Sequence, residues 1–328
     1  MSRRRLALLK LAVTVMVVGV LAWRLDLGES AQLLGRARPG PLVMAVGLLA
    51  GSHLAVALAW RVLLEGAGVG LRVERSIRLY YAGLFLNNFF LGSVGGDTYR
   101  VLAVRSAAGS GRRALAATLM ERVVSVTALL LLGLGAVACR WGELPGRYAV
   151  LLALLTGAGA AAGLAVSFLP GTLGRLFRPL LHRVPVWLGE RLDGVLTGME
   201  GASGPGVALR LLLVMLAAQG VRVWTHWWCG QAIGLEIAPM DLFVAIPLVA
   251  VAAGLPLSIG GLGVREGSGA LLLAPLGVAH PEAVAMEFLA YLVGVATSLL
   301  GGLAFLLGGE RPPQRDLGSG PESGRMGS

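Results

Sequence analysis

The chain has 328 residues, 56% of them hydrophobic and only 14% charged, and its mean hydropathy is +0.76. A soluble globule carries roughly a quarter charged residues, so the composition excludes a water-covered fold and specifies an all-α polytopic membrane protein. The net charge of +10 is a lipid signal and implies no nucleic-acid partner, because the basic residues collect in loops and at segment ends, as they do toward anionic lipid.

At the N-terminus, Ser2-Arg3-Arg4-Arg5 precedes an apolar run that ends Leu21-Ala22-Trp23-Arg24. No small-x-small cleavage site follows, so 6–23 is expected to stay as a first helix. Further helices are expected over 41–64, 115–138, 148–169, 208–233 and 284–307. Uncharged runs such as Pro41 to Trp60 and Phe288 to Gly309 are long enough, or nearly so, to cross a hydrocarbon core of ~30 Å. Cys139 and Cys229 have no paired or metal-ligand spacing, so neither a disulfide framework nor a metal site is expected. No cofactor motif is present.

Two apolar stretches, 79–96 and 241–261, end differently from the rest. Each runs into a glycine pair, in Gly92-Ser93-Val94-Gly95-Gly96-Asp97 and in Ser258-Ile259-Gly260-Gly261. Glycine is the weakest ordinary helix former, and backbone that leaves a helix within a bilayer must be buried in protein or line a wet cavity. The segments 79–112 and 241–279 are therefore expected to be re-entrant helical hairpins, beside about six transmembrane helices. With a cytoplasmic N-terminus, segments 2–10, 61–78, 97–113, 170–206 and 310–328 then lie inside and carry most of the loop arginines. The outer segments carry Arg24, Arg36, Arg38, Arg140 and Arg147. If 79–96 spanned instead, Arg100, Arg105, Arg112 and Arg113 would lie outside, against the positive-inside rule. The mixed segment 170–206 is expected to form an interfacial elbow, and 310–328 a disordered, cytoplasmic tail.

The hairpins also match one another. Ser93-Val94-Gly95-Gly96-Asp97-Thr98-Tyr99-Arg100 aligns with Ser258-Ile259-Gly260-Gly261-Leu262-Gly263-Val264-Arg265, and Met120-Glu121 with Met286-Glu287. The repeat halves, 79–138 and 241–307, enter from opposite faces in this topology. Inverted repeats with broken helices mark transporters whose substrate site lies near the midplane. Glycine pairs can also serve helix packing alone, but packing does not call for an arginine four residues later.

These residues resemble a known family. Asn87-Asn88, Gly95-Gly96-Asp97 and Arg100, followed by Pro256-Leu257-Ser258-Ile259-Gly260-Gly261-Leu262-Gly263-Val264-Arg265-Glu266-Gly267, are similar to the lysylphosphatidylglycerol synthase transmembrane-region family, whose members include free-standing membrane proteins. The resemblance covers roughly 5–308, and the expected flippase-like domain spans 1–309. It implies a lipid flippase-like fold in the cell (inner) membrane, and an anionic phospholipid or polyprenyl-phosphate-linked lipid as substrate. After the last expected helix only a short tail remains, so no aminoacyltransferase domain and no enzymatic activity are expected of this chain.

Candidate site residues follow from charge placed within apolar surroundings. Arg100 and Arg265 stand just past the glycine turns, where a guanidinium can grip phosphate with paired hydrogen bonds and the N–H groups of Gly95, Gly96, Gly260 and Gly261 add donors. Glu121 and Glu287 are candidate counter-charges or proton carriers, and Glu266 belongs with Arg265 to the candidate head-group site. Arg222 forms a polar stripe with Gln219 and His226, flanked by Trp224, Trp227 and Trp228; it is either a further head-group contact or a snorkelling side chain. His53 reads as a packing residue, and Asp97 as a helix cap. The rival to a transporter is a non-transporting scaffold for a lipid-modifying or glycosyl-transferring enzyme, which has no need of matched cavity arginines.

The re-entrant topology has a direct check. A cysteine introduced as Ser106→Cys, in a chain lacking Cys139 and Cys229, is expected to react with an impermeant maleimide only after spheroplasts are opened. Reaction in sealed spheroplasts would make 79–96 a full span.

Overall fold

The computed structural model describes residues 27–89, 94–105, 111–172, 175, 205–255 and 257–307. The expected helix 6–23, nearly all of the elbow 170–206 and the tail 310–328 lie outside them. Among the described residues the chain is helical throughout: α1 (Leu27–Gly35), α2 (Pro39–Gly66), α3 (Val73–Phe89), α4 (Val94–Val104), α5 (Gly111–Cys139), α6 (Gly146–Phe168), α7 (Pro205–Ile233), α8 (Pro239–Gly254), α9 (Val264–Leu273) and α10 (His280–Leu307). Two single 3-10 turns, Ile259–Gly261 and Ala274–Leu276, flank α9.

The apolar runs set the helix lengths and prolines mark several starts. Pro39 and Pro239 occupy the first turn of their helices, where the missing N–H costs nothing. Among the described residues five helices are long and apolar enough to cross a membrane: Pro39–Gly66, Gly111–Cys139, Gly146–Phe168, Pro205–Ile233 and His280–Gly302. The segment 24–40, expected as a loop, contains α1. Pro247 lies inside α8, and its ring sits against Gly133 of α5, where a Cβ would come within 3.0 Å of it.

The two glycine-pair segments form helix–break–helix units, α3 with α4 and α8 with α9, and the arms of each unit pack on one another. Their glycines do different work, which the sequence match conceals. Gly260 and Gly261 take φ of +61° and +76°, a left-handed backbone that favours glycine, and they break the second unit. Gly95 and Gly96 instead lie in the first turn of α4. Gly96 serves a close helix crossing, since a methyl there would overlap the carbonyl oxygen of Gly83 on α3.

Packing separates into two main cores. One gathers Val56, Trp60, Leu63, Leu79, Val104, Met120, Val124 and Met215 around the first unit. The other gathers Leu49, Leu129, Val223, Ile246, Leu273, Met286 and Val293 around the second. Helices α2, α5 and α7 run through both. Where the cores meet, α2 carries His53 and α7 carries Gln219 and Arg222, and α5 brings Arg122 and Ser125 to the same level. A polar layer therefore divides the bundle near the middle of its long helices.

The Gly83–Gly96 crossing leaves no room for a side chain and its obstacle is backbone. Gly96→Ala is expected to cost about 2 kcal/mol, within the range for overpacked cores, seen as an earlier thermal unfolding transition in detergent. Gly47→Ala, which would meet nothing within 4 Å, is expected to leave that transition in place.

Candidate functional site

The polar layer encloses a cavity with two adjoining lobes of about 430 and 140 Å³. Both lobes are lined by Asn87, Asn88, Arg222, Gly260 and Arg265. The larger adds Arg122, Ser125 and Gln219, and the smaller adds His53, His226 and Tyr291. Three guanidinium groups thus face one space, and among the described residues no carboxylate lines it.

Each side chain reaches the cavity for a local reason. Asn87 and Asn88 end α3 just before its break; Asn87 Oδ1 accepts from the Gly96 N–H at 2.7 Å, and Asn88 donates to Ser298 Oγ at 2.6 Å. Arg265 stands in the first turn of α9, brought there by Gly260 and Gly261. Arg222 lies one helical turn after Gln219, whose amide donates to Ser125 Oγ at 2.5 Å, and one turn before His226 on the same face of α7.

The arginines differ in how their charge is met. Arg122 is held bidentately by Asp97, with Nε to Oδ2 at 3.0 Å and Nη2 to Oδ1 at 2.9 Å. Arg100 also donates to Asp97 at 2.6 Å and meets Glu121 at 3.0 Å. Its guanidinium carbon lies 5.0 Å from the Trp60 ring centroid and 4.7 Å from that of Tyr80, a cation–π sandwich. Trp60 is fixed in turn by donating to Thr118 Oγ1 at 3.1 Å. Arg222 and Arg265 have no such partners: among the described residues no carboxylate comes within 4.0 Å of either, and the Arg265 Nε is buried without an acceptor.

The expected symmetry of Arg100 and Arg265 is therefore not what the structure shows. Arg100 is 2% exposed and lies in the first core rather than at the cavity wall. The reason is Asp97, whose counterpart in the second unit is Leu262. Asp97 and Asn87 occupy donors of the first unit internally, whereas Leu262 offers Arg265 no carboxylate and the Arg265 Nε is left without an acceptor. Of the expected site residues, the cavity brings together Arg265, Arg222, Gly260 and Gly261. Gly95, Gly96, Glu121 and Arg100 lie elsewhere. Glu266 turns back to accept from the Gly263 N–H at 2.5 Å, and Glu287 is fully buried behind the smaller lobe, with His226 Nε2 at 3.7 Å.

Four cavity residues went unnoticed or undervalued at the level of sequence. Arg122 stands next to Glu121 within an apolar helix, and an arginine placed so deep was itself a signal. Asn87 and Asn88 carried the family resemblance but no assigned role. His53, expected to be a packing residue, lines the smaller lobe and meets Tyr81 edge-on with centroids 6.2 Å apart. The tryptophans form a cluster of their own, Trp227 lying 5.5 Å from Trp224 and 5.1 Å from Trp228.

An all-helical, multi-pass bundle with a cationic cavity between two helix–break–helix units defines the class of protein. The chain belongs to the family of the lysylphosphatidylglycerol synthase transmembrane region, whose profile matches residues 7–302. It is also similar to a UPF0104 membrane protein of Pyrococcus horikoshii, with 26% identity over 121 residues covering 36% of each chain. The match thus spans about a third of that relative's length.

The buried Arg100–Glu121 pair is coupled. Arg100→Met alone strands a carboxylate in the core and is expected to cost about 3–5 kcal/mol of stability, while Arg100→Met with Glu121→Met loses less. Denaturation in mixed micelles measures both, and equal losses would show that the two charges do not depend on each other.

Proposed function

We propose that this protein carries an anionic lipid head group across the cell membrane while the hydrocarbon tails stay in the bilayer. One observation bears most of the weight: Arg222 and Arg265 face a cavity with no carboxylate to neutralise them. Charge so placed is costly unless something answers it, and a phosphate does so with charge-assisted, bidentate hydrogen bonds. Arg122, its charge already met by Asp97, adds a weaker third contact. Asn87, Asn88, Gln219 and Ser125 offer hydrogen bonds to a glycerol or sugar beyond the phosphate.

The wall supports a lipid over a soluble anion. Val126 on α5 and Leu255 after α8 both line the larger lobe, yet they are 42% and 50% exposed. The mouth between them is apolar, suited to tails leaving sideways into hydrocarbon. Family membership favours the same substrate class, an anionic phospholipid or polyprenyl-phosphate-linked lipid, in a protein with cytoplasmic termini. The two helix–break–helix units would be the halves of an inverted repeat with re-entrant hairpins, opening the cavity alternately to each leaflet.

Head-group translocation in proteoliposomes tests this, with a panel of labelled anionic lipids and a zwitterionic control. The wild type is expected to speed one anionic class, and Arg222→Ala and Arg265→Ala are each expected to slow it about tenfold or more through loss of a charge-assisted contact. Arg147→Ala, an exposed change in the first turn of α6, should not. No acceleration of any lipid would favour the scaffold for a lipid-modifying or glycosyl-transferring enzyme.

A further inference from the structure

Behind the smaller lobe lies a pair of groups that the head-group contacts do not use. Glu287 is fully buried and, among the described residues, neither of its carboxylate oxygens has a hydrogen-bond partner. His226 lines the cavity with its Nε2 at 3.7 Å from Glu287 Oε2. The other ring nitrogen, Nδ1, lies 3.1 Å from the Arg222 carbonyl oxygen. A carbonyl can only accept, so Nδ1 carries the hydrogen and a neutral His226 turns its Nε2 lone pair toward Glu287. Two acceptors then face each other in a buried place unless one proton sits on the pair.

Resting on the proposed head-group site, we infer that Glu287 is a proton carrier whose protonation is coupled to occupancy of Arg222 and Arg265. From α7, Glu287 is faced by His226, Arg222 and Cys229, and from α9 by Arg265 and Glu266. Helix α2 contributes His53 across the smaller lobe. Helices α1 and α3 also pack on α10, and among the described residues neither gives Glu287 a charged neighbour. In the empty cavity the positive charge of the two arginines opposes that proton and lets the pair release it. A bound phosphate takes that positive charge for itself, and the carboxylate then accepts a proton from the cavity water onto an oxygen facing His226. Departure of the head group restores the field of the arginines and releases the proton into the opposite compartment. One proton therefore moves with each anionic head group, and the same coupling makes lower pH tighten binding.

The probe is short-chain phosphatidylglycerol, whose phosphodiester stays a monoanion across neutral pH, titrated against the full chain in detergent micelles. Wild-type affinity is expected to weaken about tenfold per pH unit above the titration of Glu287, the slope of one linked proton. Glu287→Gln, fixed in the neutral form, is expected to bind with no such slope, near the wild-type affinity at low pH. His226→Gln is expected to keep the slope. In weakly buffered solution, wild-type binding should take up close to one proton per lipid, which tests the coupling without any variant. Binding that is pH-independent with no proton uptake would overturn the inference while leaving the head-group site intact. A slope that survives Glu287→Gln but is lost in His226→Gln would also overturn it. Absence of anionic-lipid binding at every pH would overturn both this inference and the proposed function.

Discussion

A guanidinium held inside a helical bundle must find its counter-charge in the protein or take it from a ligand, and the two halves of this molecule answer that constraint differently. In the first, Arg100 pairs with Asp97 and Glu121 and Arg122 with the same Asp97, so two positive and two negative charges close on themselves. The aromatic faces of Trp60 and Tyr80 complete the enclosure of Arg100. Removing one member of such a set strands another, so this half is rigid by construction. In the second half the carboxylates are present but turned away, Glu266 toward the Gly263 N–H and Glu287 toward His226. Arg265 and Arg222 are left facing the cavity.

Glycine makes both arrangements possible, by different physics. Gly260 and Gly261 supply a left-handed turn that brings Arg265 to the cavity wall. Gly83 and Gly96 supply absent side chains, letting α3 and α4 approach until Asn87 reaches the N-terminal turn of α4. One half therefore turns an arginine to the cavity, and the other closes on its own side chains. In the proposed transport cycle the closed network is the frame, and the open half holds the head group.

The hydrophobic pattern made the long helices legible, because length and apolarity alone decide them. Their ends were less so: α3 begins at Val73, several residues before the apolar stretch at 79, since polar first turns carry no hydropathy signal. The internal match singled out Arg265, Gly260 and Gly261, which line the cavity, but it also implied that Arg100 should stand at a cavity wall. A single difference, Asp97 against Leu262, reverses that placement. Its weight becomes visible only when Arg122, distant in sequence, is seen to reach the same carboxylate. Arg222 was legible as a charge within an apolar helix. His53 was not, because a lone histidine on an apolar face has the same pattern whether it packs or lines a cavity.

The central claim is that the uncompensated pair Arg222 and Arg265 holds a lipid phosphate. A cryo-EM structure of the full chain in nanodiscs of anionic phospholipid tests it most directly. The account predicts phosphate density within hydrogen-bond reach of both guanidinium groups, with acyl chains leaving between Val126 and Leu255. A cavity that holds only acyl chain, or one in which Arg265 has turned to pair with Glu287 and no phosphate enters, would contradict it.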